Sequence, residues 1–304
     1  MSRTATIDVA PSPALARRGG APARWALALA RFARRKPLGA LGGLIVLAML
    51  VMTVFAERIA PYSYDETIRG ARMKPPSAAH WLGTHNLSRD LWSRLVYGAR
   101  VSVTVGFATI ALGIAAATAI GVSSAYFGGV YDLLVQRVVD AWLSFPYLII
   151  ILSVMAVLGP GRLNLILSVA IIAAATNSRV IRGATLTVMQ QQFVEAARAL
   201  GCGHGRIILR HILPNVTATI IILATIGLGA VILAESALSF LGFGVPPPYP
   251  SWGAMLSGSG RTYMFRAPWM AIWPGVAISL AVFGFNMLGD ALRDILDPRL
   301  RSGR

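Results

Sequence analysis

The chain has 304 residues, 56% of them hydrophobic and 13% charged, with a mean hydropathy of +0.64 and a formal net charge of +16. That balance argues against a water-soluble enzyme, and several runs approach the ~20 apolar residues a helix needs to cross a bilayer core. The basic residues sit at the flanks of those runs and not on one soluble face, which argues against nucleic acid, while the single cysteine, Cys202, excludes an internal disulfide and any multi-cysteine metal site.

Residues 1–37 carry Arg3, Arg17, Arg18, Arg24, Arg31, Arg34, Arg35 and Lys36 against one acid, Asp8. A secretory signal has a shorter basic region and a shorter apolar run. The segment is therefore expected to be a cytoplasmic basic tail, disordered in its Pro-, Ala- and Arg-rich part. The first spanning helix is expected over 38–56, with Gly39, Gly42 and Gly43 near its start. Residues 57–100 form a polar excursion, expected to be periplasmic, in which Arg89-Asp90 reads as a solvated pair worth roughly 0–1 kcal/mol.

Residues 101–289 are expected to hold five further spans. The second, 101–125, has Gly106, Gly113, Ala117 and Gly121 as small surfaces for a neighbouring helix. Tyr126-Phe-Gly-Gly129 is a turn. Asp132, Arg137 and Asp140 precede a third span at about 141–158, which Pro146 is expected to kink. The fourth span has a short apolar core, 163–175, and is expected to reach Ile181 with Arg179 and Arg182 snorkelling to the interface. Asn177 either lines a polar path or, as is commoner, hydrogen-bonds a neighbouring helix.

Between the fourth and fifth spans lies the most polar interval of the second half, 183–215. Glu195 to Leu200 are good helix formers, and Gly201, Gly203 and Gly205 interrupt them. Ile208 with Ile212, and Leu209 with Leu213, are four apart and so share a helix face, with Arg206 and Arg210 off it. Pro214 ends that pattern or starts the next helix. The expected shape is helix, glycine bend, amphipathic helix at a membrane surface, and a helix that binds only lipid headgroups is the plainer alternative. The fifth span, 216–234, ends at Glu235. An ionisable group there is a functional candidate, against a carboxylate hydrated at the outer interface or paired with an arginine of a partner. An outer loop to Ala267, a sixth span over 269–288 containing Pro274, and a cytoplasmic tail at 290–304 complete the chain. The short outer turns carry only Arg162, Arg261 and Arg266, whereas the tails and 183–215 are basic, which places both termini inside.

No catalytic motif is present. A phosphate-cradling loop needs Gly-Lys-Ser/Thr, and the only lysines, Lys36 and Lys74, are each followed by proline. The four histidines lack metal-site spacing.

Glu195-Ala196-Ala197, then Gly201, then Leu213-Pro214 before a span resembles the EAA loop of bacterial ABC importer permeases. His211-Ile-Leu-Pro-Asn215 is similar to the dipeptide and oligopeptide branch of that family, C-type subunit. So are Trp81 to Arg100, the Tyr126-Phe-Gly-Gly129 turn with Asp132, Arg137, Asp140 and Ser144-Phe145-Pro146, Ser239 to Gly253, and the run Asn286 to Arg299. Where that pattern has Asp after Gly-Thr and Gly before Arg-Asp, this chain has His85 and Ser88.

The resemblance implies an all-α polytopic membrane protein of the type I ABC importer permease class, with six transmembrane helices and a cytoplasmic coupling loop at 183–215. It implies that Glu195, Ala196, Ala197, Gly201, Cys202, Arg206, Arg210 and Pro214 contact ATPase subunits. Glu235 and Asn177 are the candidates for the substrate path. The chain itself would hold no cofactor and no metal, with ATP and Mg in the ATPases. Its partners would be a second homologous permease, two ATPase subunits, an extracytoplasmic binding protein and membrane lipid, with no nucleic acid. The site of action would be the inner membrane, and the substrate a di- or oligopeptide, with nickel or glutathione as alternatives. An ion-coupled secondary transporter would need buried carboxylates or broken helices at the midplane, and an intramembrane enzyme would need a catalytic constellation.

Overall fold

In lipid every backbone polar group must find its partner within the protein, so long apolar runs resolve into helices. The computed structural model describes residues 32–34 and 36–296, so most of the expected basic tail and the end of the C-terminal tail lie outside the described residues. The elements are α1 (Pro37–Val54), α2 (Ala56–Ile59), α3 (Leu91–Phe127), α4 (Gly129–Leu143), α5 (Tyr147–Leu158), α6 (Arg162–Met189), α7 (Gln192–Ala199), α8 (His204–Phe240), α9 (Trp252–Met255) and α10 (Trp269–Leu296). Among the described residues the only β pairing is an isolated bridge between Thr84 and Asp90. Helices α1, α3, α6, α8 and α10 are each long and apolar enough to cross a membrane, and α4 with α5 makes a sixth crossing only as a pair bent by 85°.

That bend corrects the expected third span. Pro146 does not kink a continuous helix but stands between two. It has no N–H to donate and disfavours helical backbone at Phe145. Ser144 therefore closes α4 by bonding Asp140 O through both its backbone N and its Oγ, and the Pro146 carbonyl starts α5 by accepting from Ile149 N at 2.9 Å.

Helix α3 begins at Leu91, ten residues before the expected second span. Asp90 is the reason: its Oδ2 accepts from Ser93 N and Ser93 Oγ, both at 2.9 Å, which satisfies donors of the first turn. Its Oδ1 lies 3.0 Å from His80 Nδ1, and the side chain is buried. The solvated Arg89-Asp90 pair is thus replaced by an N-cap. Ser88, which stands where the family pattern has glycine, takes φ +57°, so the left-handed turn is kept without glycine. Beside it, burial first and then Arg94 and Arg89 push the His85 imidazole down to about 3, which leaves it neutral at physiological pH.

Helix α6 continues to Met189, well beyond Ile181. Arg179 and Arg182 do not simply reach for the interface, because each is ion-paired to α4, Arg179 with Asp140 and Arg182 with Asp132.

The helices pack through small residues. A Cβ added at Gly121 of α3 would stand 2.6 Å from Ser178 O of α6, and one at Gly113 would stand 2.9 Å from the Ala173 Cβ. Helix α1 lies on α10 in the same way: a Cβ at Gly42 would be 2.7 Å from Gly284 O and 2.9 Å from Leu288 N. One apolar core runs among α1, α3, α5, α6, α8 and α10, and a second, with Ala117, Ile181, Val194, Ile207 and Ile212, lies where α3, α6, α7 and α8 meet. Gly42→Leu should push α1 off α10 and destabilise the chain by roughly 1–3 kcal/mol, the usual cost of overpacking. Thermal unfolding in detergent, compared with Gly43→Leu as the permissive neighbour, checks this.

Candidate functional site

The interval between α6 and the membrane part of α8 is a short hairpin seated on the second core. In α7, Val194 and Ala197 are three apart and buried, whereas Glu195, Ala196 and Arg198 face outward. Leu200, immediately after, is 83% exposed, an unusual position for a leucine in an isolated subunit. Helix α7 then ends in a Schellman motif. Gly201 takes φ +74°, its N–H donates to Arg198 O at 2.9 Å, and Cys202 N donates to Ala197 O at 3.1 Å. A glycine is required there because an L side chain is strained in left-handed backbone. Cys202 is half-buried against the second core.

After the bend the structure departs from the expected faces. Residues Ile207–Ile212 are π-helical, so the buried pair is Ile207 and Ile212, five apart, and Leu209 is 65% exposed. The widened turn lies directly before Pro214, which has no N–H to return to the preceding turn. Pro214 stands in the first turn of the α-helical segment that begins at Leu213, as expected of a helix start, and that segment follows the π turn without a break in the 37-residue α8. Arg206, Arg210 and Pro214 are exposed. Glu195, Ala196, Leu200, Gly201, Arg206 and Arg210 therefore share one solvent-facing element.

Sequence reasoning missed what holds this element. Tyr126, near the end of α3, places its hydroxyl 2.8 Å from His204 Nδ1, and the Arg198 guanidinium lies 5.8 Å from its ring centroid. Tyr126 stood in a stretch read as a turn and as part of the family resemblance, and nothing in its spacing connects it to residues far along the chain.

Asn177 and Glu235 are not brought to this element. Asn177 is half-buried and donates to Ala173 O of its own helix at 2.7 Å, so the bond to a neighbouring helix is not the one made. Glu235 is 0% exposed, which removes the hydrated-interface reading. Its Oε2 accepts from Ser102 Oγ of α3 at 2.9 Å, its Oε1 accepts from Ser239 Oγ at 2.7 Å, and Ser236 Oγ lies 3.5 Å from Oε2. Among the described residues of this chain the carboxyl is met by serine hydroxyls and not by an arginine. Next to this cluster Ser251 caps α9, Gly253 abuts the Ser236 backbone so closely that a Cβ would collide, and Trp252 Nε1 donates to Leu95 O at 3.0 Å. A cavity of about 510 Å³, lined by Leu233, Ser236, Phe240, Leu256 and Gly275 among others, opens beside it. Ser102 and Tyr126 lie on the same helix, about 36 Å apart at 1.5 Å rise per residue. The two candidate regions are thus at opposite ends of α3.

The outward face of this glycine-bent hairpin carries one carboxylate, Glu195, among the exposed arginines Arg198, Arg206 and Arg210. Among the described residues no group of three or more His, Cys, Asp or Glu is placed to hold a metal ion.

Comparison with known proteins agrees with this geometry. The model of the binding-protein-dependent transport system inner membrane component matches residues 109–302, and that of the N-terminal TM domain of oligopeptide transport permease C matches residues 23–76. The dipeptide transport system permease protein DppC of Alkalihalophilus pseudofirmus is 40% identical over 269 residues, covering 88% of each chain. The glutathione transport system permease protein GsiD of Escherichia coli O6:K15:H31 is 40% identical over 274 residues, again covering 88% of each. In fold, the chain is similar to an inward-facing structure of the MetNI methionine ABC transporter, with a TM-score of 0.56 at 18% identity over 68% of this chain and 98% of that one. The helical membrane architecture, the two family models and these relatives agree: the chain belongs to the family of binding-protein-dependent transport system inner membrane components.

Proposed function

We propose that this chain is one transmembrane subunit of an ATP-driven importer of small peptides, and that the hairpin from Glu195 to Pro214 is where separate ATPase subunits drive it. The observation that carries the reading is the hairpin itself. Its inner side is fixed by Val194, Ala197, Ile207 and Ile212, while Glu195, Ala196 and Leu200 are left to solvent. An exposed leucine beside a carboxylate on a rigid base is what a partner protein would cover. Among the described residues the chain has one broken span and a buried carboxyl within a span, Glu235, features also expected of an ion-coupled carrier, but its relatives are permeases of dipeptide and glutathione transport systems. Those names support a small peptide as the substrate class. With no phosphate-cradling loop in this sequence, ATP and Mg would sit in the ATPases. The remaining partners would be a second permease subunit and an extracytoplasmic binding protein, with both termini and the hairpin cytoplasmic in the inner membrane. Glu235 would act on the substrate path by holding the segment that begins at Ser251 beside the cavity, and Asn177 would act only after a helix rotation frees its amide.

Two measurements test the hairpin assignment. Gly201→Leu forces a side chain onto left-handed backbone at a cost of ~1–2 kcal/mol, and Glu195→Ala removes the exposed carboxylate. Both variants should reach the membrane at normal abundance, retain less ATPase on copurification and take up less labelled dipeptide or glutathione. Wild-type uptake by both would remove the hairpin from the drive. Secondly, the single cysteine makes thiol labelling site-specific without mutagenesis. Half-buried Cys202 should react from the cytoplasmic face in the permease pair alone and more slowly once the ATPases are bound. Equal rates with and without bound ATPases would mean that the hairpin is not covered.

A further inference from the structure

The hairpin has an internal weakness. Gly201, Gly203 and Gly205 all stand in open space, with no atom within 4 Å of where a Cβ would be, so no side chain at these positions braces the bend on its outer side, while its inner side rests on the second core through Val194, Ala197, Cys202, Ile207 and Ile212. Tyr126 supplies what the glycines lack. Arg198, on the last turn before the bend, lies over its ring at 5.8 Å, and His204, the first residue of the helix after the bend, meets both its hydroxyl at 2.8 Å and its ring edge-on at 5.6 Å between centroids. One aromatic side chain from α3 thus touches both arms. Phe127 adds a second contact to His204 at 6.1 Å, and is itself braced by Tyr131 of α4.

The tyrosine sits at the end of α3, one of two 37-residue helices that connect the two candidate regions; the other, α8, starts in the hairpin at His204 and carries Glu235 itself. Helix α3 has 37 residues, ends one residue after Tyr126, and carries Ser102, the hydroxyl from another helix that bonds Glu235. At Gly113 and Gly121 its backbone lies close against α6, which backs the helix between the two regions. We propose that Tyr126 is the positioning residue through which displacement of the hairpin is passed to α3, and so to the Ser102–Glu235 cluster and the segment after Ser251. This rests on the reading that ATPases act on the hairpin. Cation–π and hydrogen-bond contacts suit the role because both hold the arms to the ring while the glycines allow the angle between them to change.

The test uses the complete transporter, both permeases with the ATPases and binding protein, in proteoliposomes, and reads three quantities: bound ATPase, ATP hydrolysis, and labelled peptide imported per ATP hydrolysed. Tyr126→Leu removes ring and hydroxyl, and Tyr126→Phe removes only the hydroxyl. His204→Ala changes an exposed residue with no part in the buried core, so it stays informative if Tyr126→Leu fails to assemble. The expected result is normal ATPase binding and continued hydrolysis, with import per ATP falling about tenfold in Tyr126→Leu, less in His204→Ala, and least in Tyr126→Phe, where the conservative ring restores most of the yield. Unchanged import per ATP in both Tyr126→Leu and His204→Ala overturns the proposal, as does loss of bound ATPase in His204→Ala, which would make the contact part of docking. Failure of the hairpin reading is separate: it appears as undiminished ATPase binding and uptake in the Gly201→Leu and Glu195→Ala variants.

Discussion

The contact between α3 and α6 is the one on which the rest of this subunit depends. Helices surrounded by lipid gain little from burying apolar surface, since acyl chains are as apolar as leucine, and association has to come from close packing and from polar contacts. Gly113 and Gly121 let the backbone of α3 approach the α6 backbone near Ala170 and Ser178, and fully buried Ala117 lies between them on the same helix. Charge then secures the half of the pair nearer the hairpin. Asp132 and Asp140 of α4 pair with Arg182 and Arg179 of α6, so the helix that the Ser144-Phe145-Pro146 joint turns aside is tied back to the pair it would otherwise leave. The hairpin is seated on the same junction, because the second core is made from α3, α6, α7 and the start of α8.

Three interior polar contacts join different elements, and each places a segment. The Glu235 carboxyl, shut off from water, takes hydroxyls from Ser102 on α3 and Ser239 on its own helix. An unpaired carboxyl there would cost several kcal/mol, which makes the serines as necessary as the acid. The indoles of Trp252 and Trp269 donate to Leu95 O and Thr84 O, and so pin the α9 segment and the start of α10 to α3 and to the excursion before it. The polar side of the molecule is thus built around the N-terminal half of α3, with capping Asp90 at its head. At its other end Tyr126 meets the hairpin, which makes α3 the common support of both regions.

Some of this was legible in the residues. Long apolar runs announce an all-helical membrane protein because no other local structure satisfies the backbone in lipid. The order Glu195-Ala-Ala, Gly201, Leu213-Pro214 announces the hairpin, since a helix-forming run stopped by glycine has few alternatives, and φ +74° at Gly201 is the geometry that such a stop requires. Asp90 followed by Ser93 was equally readable as a helix cap, but was taken as half of a charged pair, because a cap and a salt bridge use the same residue types and only the neighbouring backbone distinguishes them.

Other features were decided by tertiary structure alone. Local spacing put Ile208 with Ile212 on one face, and the π turn moved the buried face to Ile207 and Ile212, because Pro214 and the packing beneath settle the winding together. Pro146 was visible as a disturbance, but not whether it would kink or break, since that depends on whether α4 finds partners on α6 once it has turned away. Glu235 could be picked out as a charge at a membrane edge, yet its serines come from residues as distant as Ser102. Tyr126 belonged to a turn that carried the family resemblance, but its contacts were not readable, because nothing local tells that the fold brings Arg198 and His204 onto its ring. Sequence by itself determined which segments enter the membrane and where the chain must bend, as these follow from local backbone chemistry; tertiary structure alone decided which side chains meet across the bends, as that is settled by packing between residues far apart in the chain.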